Sequence, residues 1–187
     1  MSFYSKVAEL WQDPKENMGE FYRQRLVAWR KDPSVLKLEH PTRIDRARNL
    51  GFKAKKGYVI IRVKLPSGGR MKPKPMGGRR TRRSGRKKVL SMSYQWVAEQ
   101  RAQKHFWNLE VLNSYEVAFD GHYYWFEVIM VDPEMPEIKS DPRINWICNQ
   151  RHRVFRGQTS AGKKSRGLRY SGKGSEKARP SKRANSM

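Results

Sequence analysis

Residues 157–164 read GQTSAGKK and residues 167–174 read GLRYSGKG. Each has the glycine, four-residue gap, glycine and lysine of a loop that cradles nucleotide phosphates. Chemistry on a nucleotide needs a Ser or Thr hydroxyl at the next position to hold Mg²⁺, and a buried apolar strand leading into the loop. Lys164 and Gly174 stand where the hydroxyl should be, and no such strand precedes either segment. What remains is a glycine-rich basic segment suited to lying along phosphates. Gly157, Gly162 and Gly167 let the backbone approach a surface closely and turn at positive φ, so amides as well as side chains can meet phosphate oxygens. On that reading Gly162 lies nearest the phosphate backbone, flanked by Arg156, Lys163, Lys164, Arg166 and Arg169.

Other catalytic constellations are weaker. His40, His105, His122 and His152 are scattered, and none pairs in sequence with another histidine or with Cys148, so no metal site and no cofactor is expected. Glu116, Asp120 and Glu127 lie on or beside neighbouring strand segments and are the nearest thing to a carboxylate pair; solvated edges or partners for Lys and Arg are the commoner use. Tyr123, Tyr124, Trp125 and Phe126 resemble a base-stacking platform, although core packing explains four adjacent aromatics better.

Binding chemistry is far more visible than catalysis. From residue 46 to residue 98 the chain has 17 Lys and Arg and no acidic residue. The middle of this run, residues 66–88, reads PSGGRMKPKPMGGRRTRRSGRKK, in which Met71 and Met76 are the apolar side chains. Such a segment cannot bury enough surface to offset its ordering entropy, so alone in water it is expected to stay disordered until a polyanion neutralises it. A nucleic-acid backbone has the matching charge density.

The whole chain repeats the message, with a net charge of +24 from 41 basic and 17 acidic residues. That charge is unevenly placed. Residues 99–142 hold nine acidic and three basic residues, whereas residues 151–187 hold twelve basic residues and only Glu176 against them. Composition thus divides the chain into one α+β domain over residues 1–150, interrupted by a basic arm at 66–88, and an extended basic tail at 151–187. A single cysteine excludes an intramolecular disulfide and fits a reducing interior. No signal peptide is visible, and the longest strongly apolar stretch is too short to span a bilayer as a helix. The expectation is a soluble protein of the cytoplasm, with no membrane and no small-molecule substrate.

These binding residues must be positioned by ordinary elements. Phe3, Val7, Leu10 and Trp11 recur at helical spacing, with Ser2 as cap and Asp13-Pro14 as stop. Tyr22, Leu26 and Trp29 mark a second short helix. Thr42 is placed to cap a helix of two turns ending at Leu50-Gly51, with Asp45 favouring its N-terminus. This helix presents Arg43, Arg46 and Arg48, and Lys53, Lys55 and Lys56 follow in the loop. In residues 58–65, Val59, Ile61, Val63 and Leu65 share one strand face, leaving Arg62 and Lys64 toward solvent or phosphate. Residues 92–107 read as a helix with Tyr94, Val97, Ala98, Ala102 and Phe106 along one stripe. Residues 114–119 alternate with Tyr115, Val117 and Phe119 inward, and Asp120-Gly121 signals a two-residue hairpin into an apolar central strand. Asp141-Pro142 resembles the start of a short helix bearing Ile144, Ile147 and Cys148. The order predicts a small, mainly antiparallel sheet with flanking helices.

Three strings carry a resemblance: PTRIDRARNLGFKAKKGYVI (residues 41–60), VLNSYEV followed by WFEVIMVDP (within residues 111–133), and RGQTSAGKKSRGL (residues 156–168). In order and spacing the chain resembles, over essentially its full length, the archaeal and eukaryotic family of large-subunit ribosomal protein fifteen, and its arm is more similar to archaeal members. The resemblance implies a structural, non-enzymatic protein of the large subunit, active in translation, that threads basic extensions into large-subunit ribosomal RNA and touches neighbouring ribosomal proteins.

The expected RNA-binding set joins the helix and loop residues named above with Arg70, Lys72, Lys74, Arg79, Arg80, Arg82, Arg83, Arg86, Lys87 and Lys88 of the arm. The tail adds Arg151, His152, Arg153, Arg156, Gly162, Lys163, Lys164, Arg166, Arg169 and Lys173. Two other classes compete: an RNA-modifying enzyme, which needs a catalytic pocket the residues do not display, and a nucleic-acid-compacting protein, which explains the charge but not the strings.

Overall fold

The structure, a computed structural model, describes residues 2–73, 76–78 and 87–169. Helix α1 (Phe3–Leu10) forms where the spacing predicts, and Ser2 stands at its N-cap without a side-chain bond. Its stripe packs through Val7, partly buried, and Trp11, buried, while Phe3 and Leu10 are exposed. Asp13-Pro14 stops α1 and also starts α2 (Pro14–Lys31), since the fixed φ of proline suits a first helical position. This second helix is longer than its apolar stripe suggests, bends at Gly19 (φ 47, ψ −121), and buries Tyr22, Leu26 and Trp29.

Strand β1 (Val35–Leu38) has no signal in the sequence, because four residues are too few to show an alternation. In α3 (Ile44–Asn49) the N-cap position falls to Arg43 rather than Thr42. The Thr42 N–H instead donates to the Glu127 carboxylate, at 3.0 and 3.3 Å to its two oxygens. The remaining elements are β2 (Tyr58–Pro66), the two-residue strands β3 (Arg70–Met71) and β4 (Lys87–Lys88), α4 (Tyr94–His105), β5 (Glu110–Phe119), β6 (Tyr123–Val131), α5 (Pro136–Lys139) and α6 (Ser160–Ser165). Instead of the expected helix after Asp141-Pro142, a turn leads into a 3-10 segment, Asn145–Asn149.

One antiparallel sheet runs in the order β1-β2-β6-β5, with β3 and β4 forming a separate ribbon. Strand β6 is central, as its apolar run on both faces requires. Along β2 and β6 successive residues serve opposite faces. Ile61, Val63, Leu65, Phe126, Val128 and Met130 pack with Trp96, Ala98 and Ala102 of α4. Ile60, Trp125 and Ile129 pack with Trp11, Tyr22, Leu26 and Trp29. The fold is therefore α+β with helices on both faces.

That second helical layer corrects the reading of β2. Arg62 is 8% exposed, its guanidinium 2.5 Å from Asp32 and 4.5 Å above the Trp29 ring. The Lys64 ammonium donates to the carbonyls of Arg30 and Asp32 at the end of α2, both at 2.7 Å. Both are therefore engaged by the end of α2 rather than left free on the sheet surface. On β5, register shifts between Val111 and Asn113 and between Glu116 and Ala118 break the strict alternation. Consequently Val117 and Ala118 are both buried, while Phe119, expected inward, is 40% exposed. The hairpin connection is the three residues Asp120, Gly121 and His122, one more than expected. Asp120 opens it, and its carboxylate accepts from the N–H groups of His122 and Tyr123 at 3.0 and 2.7 Å.

The first part of the expected tail lies inside the fold. Val154 and Ala161 join the core beside α4, and Thr159 caps α6. Glu99 of α4, fully buried, accepts from the hydroxyls of Ser114 and Thr159, each at 2.5 Å, and so ties helix, sheet and tail together. Burial pushes its carboxyl above the usual range, against the opposing effects of those hydroxyls and Arg153. A carboxyl raised in the fold holds its proton longer than in the unfolded chain, so it favours folding at low pH. That contribution fades as pH climbs from the ordinary carboxylate value through the raised one. Glu99→Gln removes this titration, so in denaturant melts run from acid to neutral pH the variant should gain stability relative to the parent as pH rises above the ordinary carboxylate value. A constant difference across that range would sink the assignment.

Candidate nucleic-acid interface

A basic side chain is open to a polyanion only if its own fold has not already engaged it. By this measure the helix and loop set divides. Arg43 lies 3.3 Å from Asp45 and over the Trp11 ring at 5.2 Å, with a side chain only 20% exposed. Lys53 and Lys55 converge on Asp141 at 2.8 and 2.9 Å, and Lys55 also donates to the Glu137 carbonyl. Hydrogen bonds from the two lysines hold the Asp141 carboxyl well below its usual range. Asp141 thus has its partners within the chain. Arg46, Arg48 and Lys56 divide less sharply: Arg46 and Arg48 are set on α3 and Lys56 in the loop after it, with Arg48 seated over the Tyr4 ring at 5.3 Å.

The two ends of the arm are brought together by β3 and β4, where Arg70 pairs with Lys88 and Met71 with Lys87. Tyr94 of α4 anchors the start, its hydroxyl donating to the Gly68 carbonyl at 2.8 Å and accepting from the Gly68 N–H at 2.9 Å. Arg70, Lys72 and Lys88 are exposed. Lys74, Arg79, Arg80, Arg82, Arg83 and Arg86 lie outside the described residues, as do Lys173 and the side chain of Lys87.

In residues 151–169 the assignments divide again. Arg153 donates to the carbonyls of Val111, Leu112 and Gln158 at 2.8, 3.0 and 3.2 Å, and its guanidinium lies 5.0 Å from the Trp146 ring centre. Arg156 donates to Gln150 and the Arg151 carbonyl, and Arg166 to the carbonyls of Arg156 and Gly157. His152 donates its N–H to buried Glu110. Gly162 is buried, and a Cβ there would meet the Gly157 Cα, C and O at 2.8, 2.9 and 3.0 Å. The close approach read from sequence is real, but its partner is the Gly157 backbone of the same chain. Arg151, Lys163, Lys164 and Arg169 are exposed, and Arg169 also reaches Ser160. Basic groups therefore reach the surface on α3 and its loop, on the ribbon at the base of the arm, and on and around α6.

No shared carboxylate site forms from Glu116, Asp120 and Glu127. Asp120 meets Arg30 at 2.5 Å in the hairpin turn, whereas Glu127 is fully buried and accepts from Tyr115 and Thr42. Among the described residues no group of three His, Cys, Asp or Glu is placed to hold a metal ion. Of the aromatic run, Trp125 and Phe126 are core. Tyr124 stacks between Phe119 and Tyr94, with ring centres 4.1 and 4.6 Å away. Trp107 is among the exposed rings that sequence reasoning missed. Its signal was present: it sits just past the α4 stripe, where nothing in the helical spacing calls for an indole.

The family described as Ribosomal L15 matches residues 2–185. The large ribosomal subunit protein eL15 of Nanoarchaeum equitans (strain Kin4-M) is 50% identical over 187 residues, covering 99% of this chain and 98% of that protein. With the match running through the sheet, the helices and both basic regions, the chain belongs to the Ribosomal L15 family.

Proposed function

We propose that the chain is a structural constituent of the large ribosomal subunit in the cytoplasm, binding folded large-subunit rRNA beside neighbouring ribosomal proteins. As a ribosomal protein it is not an enzyme. The observation that carries the reading is the division of its charge. The core engages Arg43, Lys53, Lys55, Arg62 and Arg153 with internal partners. Arg46, Arg48, Lys56, Arg70, Lys72, Lys88, Arg151, Lys163, Lys164 and Arg169 are left toward the surface, far more than solubility requires. Basic groups inserted between close-packed RNA helices lower phosphate repulsion and release counterions. In this reading residues 66–88 and the tail beyond the fold supply further contacts, through Lys74, Arg79, Arg80, Arg82, Arg83, Arg86, Lys87 and Lys173.

Cosedimentation tests the assignment: after a high-salt wash the protein should stay with large subunits. Release with the wash, or partition with DNA, would overturn it. A separate test addresses the arm. Arg79, Arg80, Arg82 and Arg83 changed together to Ala should flatten the salt dependence of RNA binding, by about 0.7 to 0.9 in log–log slope for each phosphate that is no longer neutralised. An unchanged slope would remove the arm from the interface.

A further inference from the structure

We infer that the hollow beside Trp107 is a binding site for a single extruded RNA nucleobase. The inference rests on the RNA-binding reading and names what that RNA must present. Trp107, in the loop between α4 and β5, is 61% exposed. The His152 ring stacks against it with centres 3.8 Å apart and planes 34° apart, and Phe155, also at the surface, lies 6.2 Å from Trp107. An exposed indole backed by tilted aromatic neighbours suits the face of a base.

The platform is built rather than incidental. His152 has φ 51, a left-handed conformation that residues other than glycine rarely adopt. It is held there by its N–H bond to Glu110 Oε1 at 2.7 Å, while Arg153 next to it grips the β5 carbonyls of Val111 and Leu112. Backbone strain maintained by so many bonds fixes the imidazole against the indole. Beside the rings lies a cavity of about 590 Å³, lined in part by Asn108, Asn149, Gln150 and Arg151. Its volume is within the range of small-ligand sites.

Two unsatisfied atoms indicate what enters. Glu110 also lines the cavity and is 3% exposed, yet its Oε2 is buried without a hydrogen-bond partner. His152 Nδ1 likewise makes no hydrogen bond, although it lies 3.8 Å from Glu110 Oε1. An orphaned carboxylate oxygen is costly unless a donor arrives. The exocyclic amino and ring imino groups of a base supply such donors, and the side-chain amides can read its remaining edge. A purely apolar occupant would leave the oxygen orphaned. Arg151 and Lys139, both exposed, provide positive charge at the rim for the flanking phosphates, against the exposed carboxylate of Glu134.

The test uses the full chain and three RNA duplexes of equal length: fully paired, carrying one bulged guanosine, and carrying one abasic bulge. The parent protein should bind the guanosine bulge about fivefold or more tighter than the other two, the lower end of what base stacking contributes. Trp107→Ala should abolish the preference and leave affinity for the paired duplex unchanged, whereas Trp107→Tyr should retain it. Salt-dependent binding of all three without a preference overturns the base site alone. A preference that survives Trp107→Ala, or an equal loss on all three duplexes, overturns it too. Failure to bind any duplex overturns the RNA-binding reading and this inference with it.

Discussion

Gly162→Val should lower the unfolding free energy by about 3 kcal/mol, the upper part of the range for overpacking a closed site. The cause is local: the new side chain would start 2.8 Å from the Gly157 Cα, and backbone cannot swing aside as a flexible side chain can. Gly157 has little room to retreat, because its φ is 65 and its own missing Cβ is already crowded by Arg166 and Trp96. Thermal melts should show a drop of about 2–4 °C for each kcal/mol in a chain of this size. Lys163→Gln, next door and exposed, should change stability by less than about 0.5 kcal/mol while weakening RNA binding. If instead Gly162→Val melts with the parent and loses only RNA affinity, the glycine serves the RNA surface and the packing account is wrong.

Glu127→Ala should cost about 3–5 kcal/mol, as removing one member of a buried polar group does. This carboxylate sits fully buried in the central strand and accepts from the Tyr115 hydroxyl and the Thr42 N–H. Burial raises its carboxyl above the ordinary range, and those two hydrogen bonds oppose the rise. Truncation therefore strands two donors and opens a void beside them. Glu127→Gln keeps an acceptor for Thr42 and a polar group for Tyr115, and should cost far less than the truncation. A double-mutant cycle with Tyr115→Phe should show the two sites coupled by about 0.5–3 kcal/mol, since Phe removes a donor that Ala leaves unpaired. Strict additivity would mean that the Tyr115 bond contributes nothing to the fold.

How much was legible in the residues differs from element to element. The strand alternation from Val59 to Leu65, the stripe of Tyr22, Leu26 and Trp29, and the apolar run of β6 are local patterns, and local patterns reflect backbone period and burial. Likewise, the absence of acidic residues between positions 46 and 98 needs no coordinates to imply a polyanionic partner. Which basic residues are open to that partner is a different kind of fact. Arg62 alternates like a surface residue and becomes interior only because α2, outside the strand's own spacing, lies over it. Lys53 and Lys55 find Asp141 more than eighty positions away. Gly162 looks like a residue for close approach, and only the folded chain reveals that Gly157 is what it approaches. Sequence by itself determined the main element types, the central strand, the family resemblance and the sign of the partner's charge, because these follow from composition, short-range spacing and the three long strings. Tertiary structure alone decided which charges are engaged inside, that residues 151–169 belong to the fold, and where Trp107 and His152 meet, because each depends on contacts between segments that no periodicity connects.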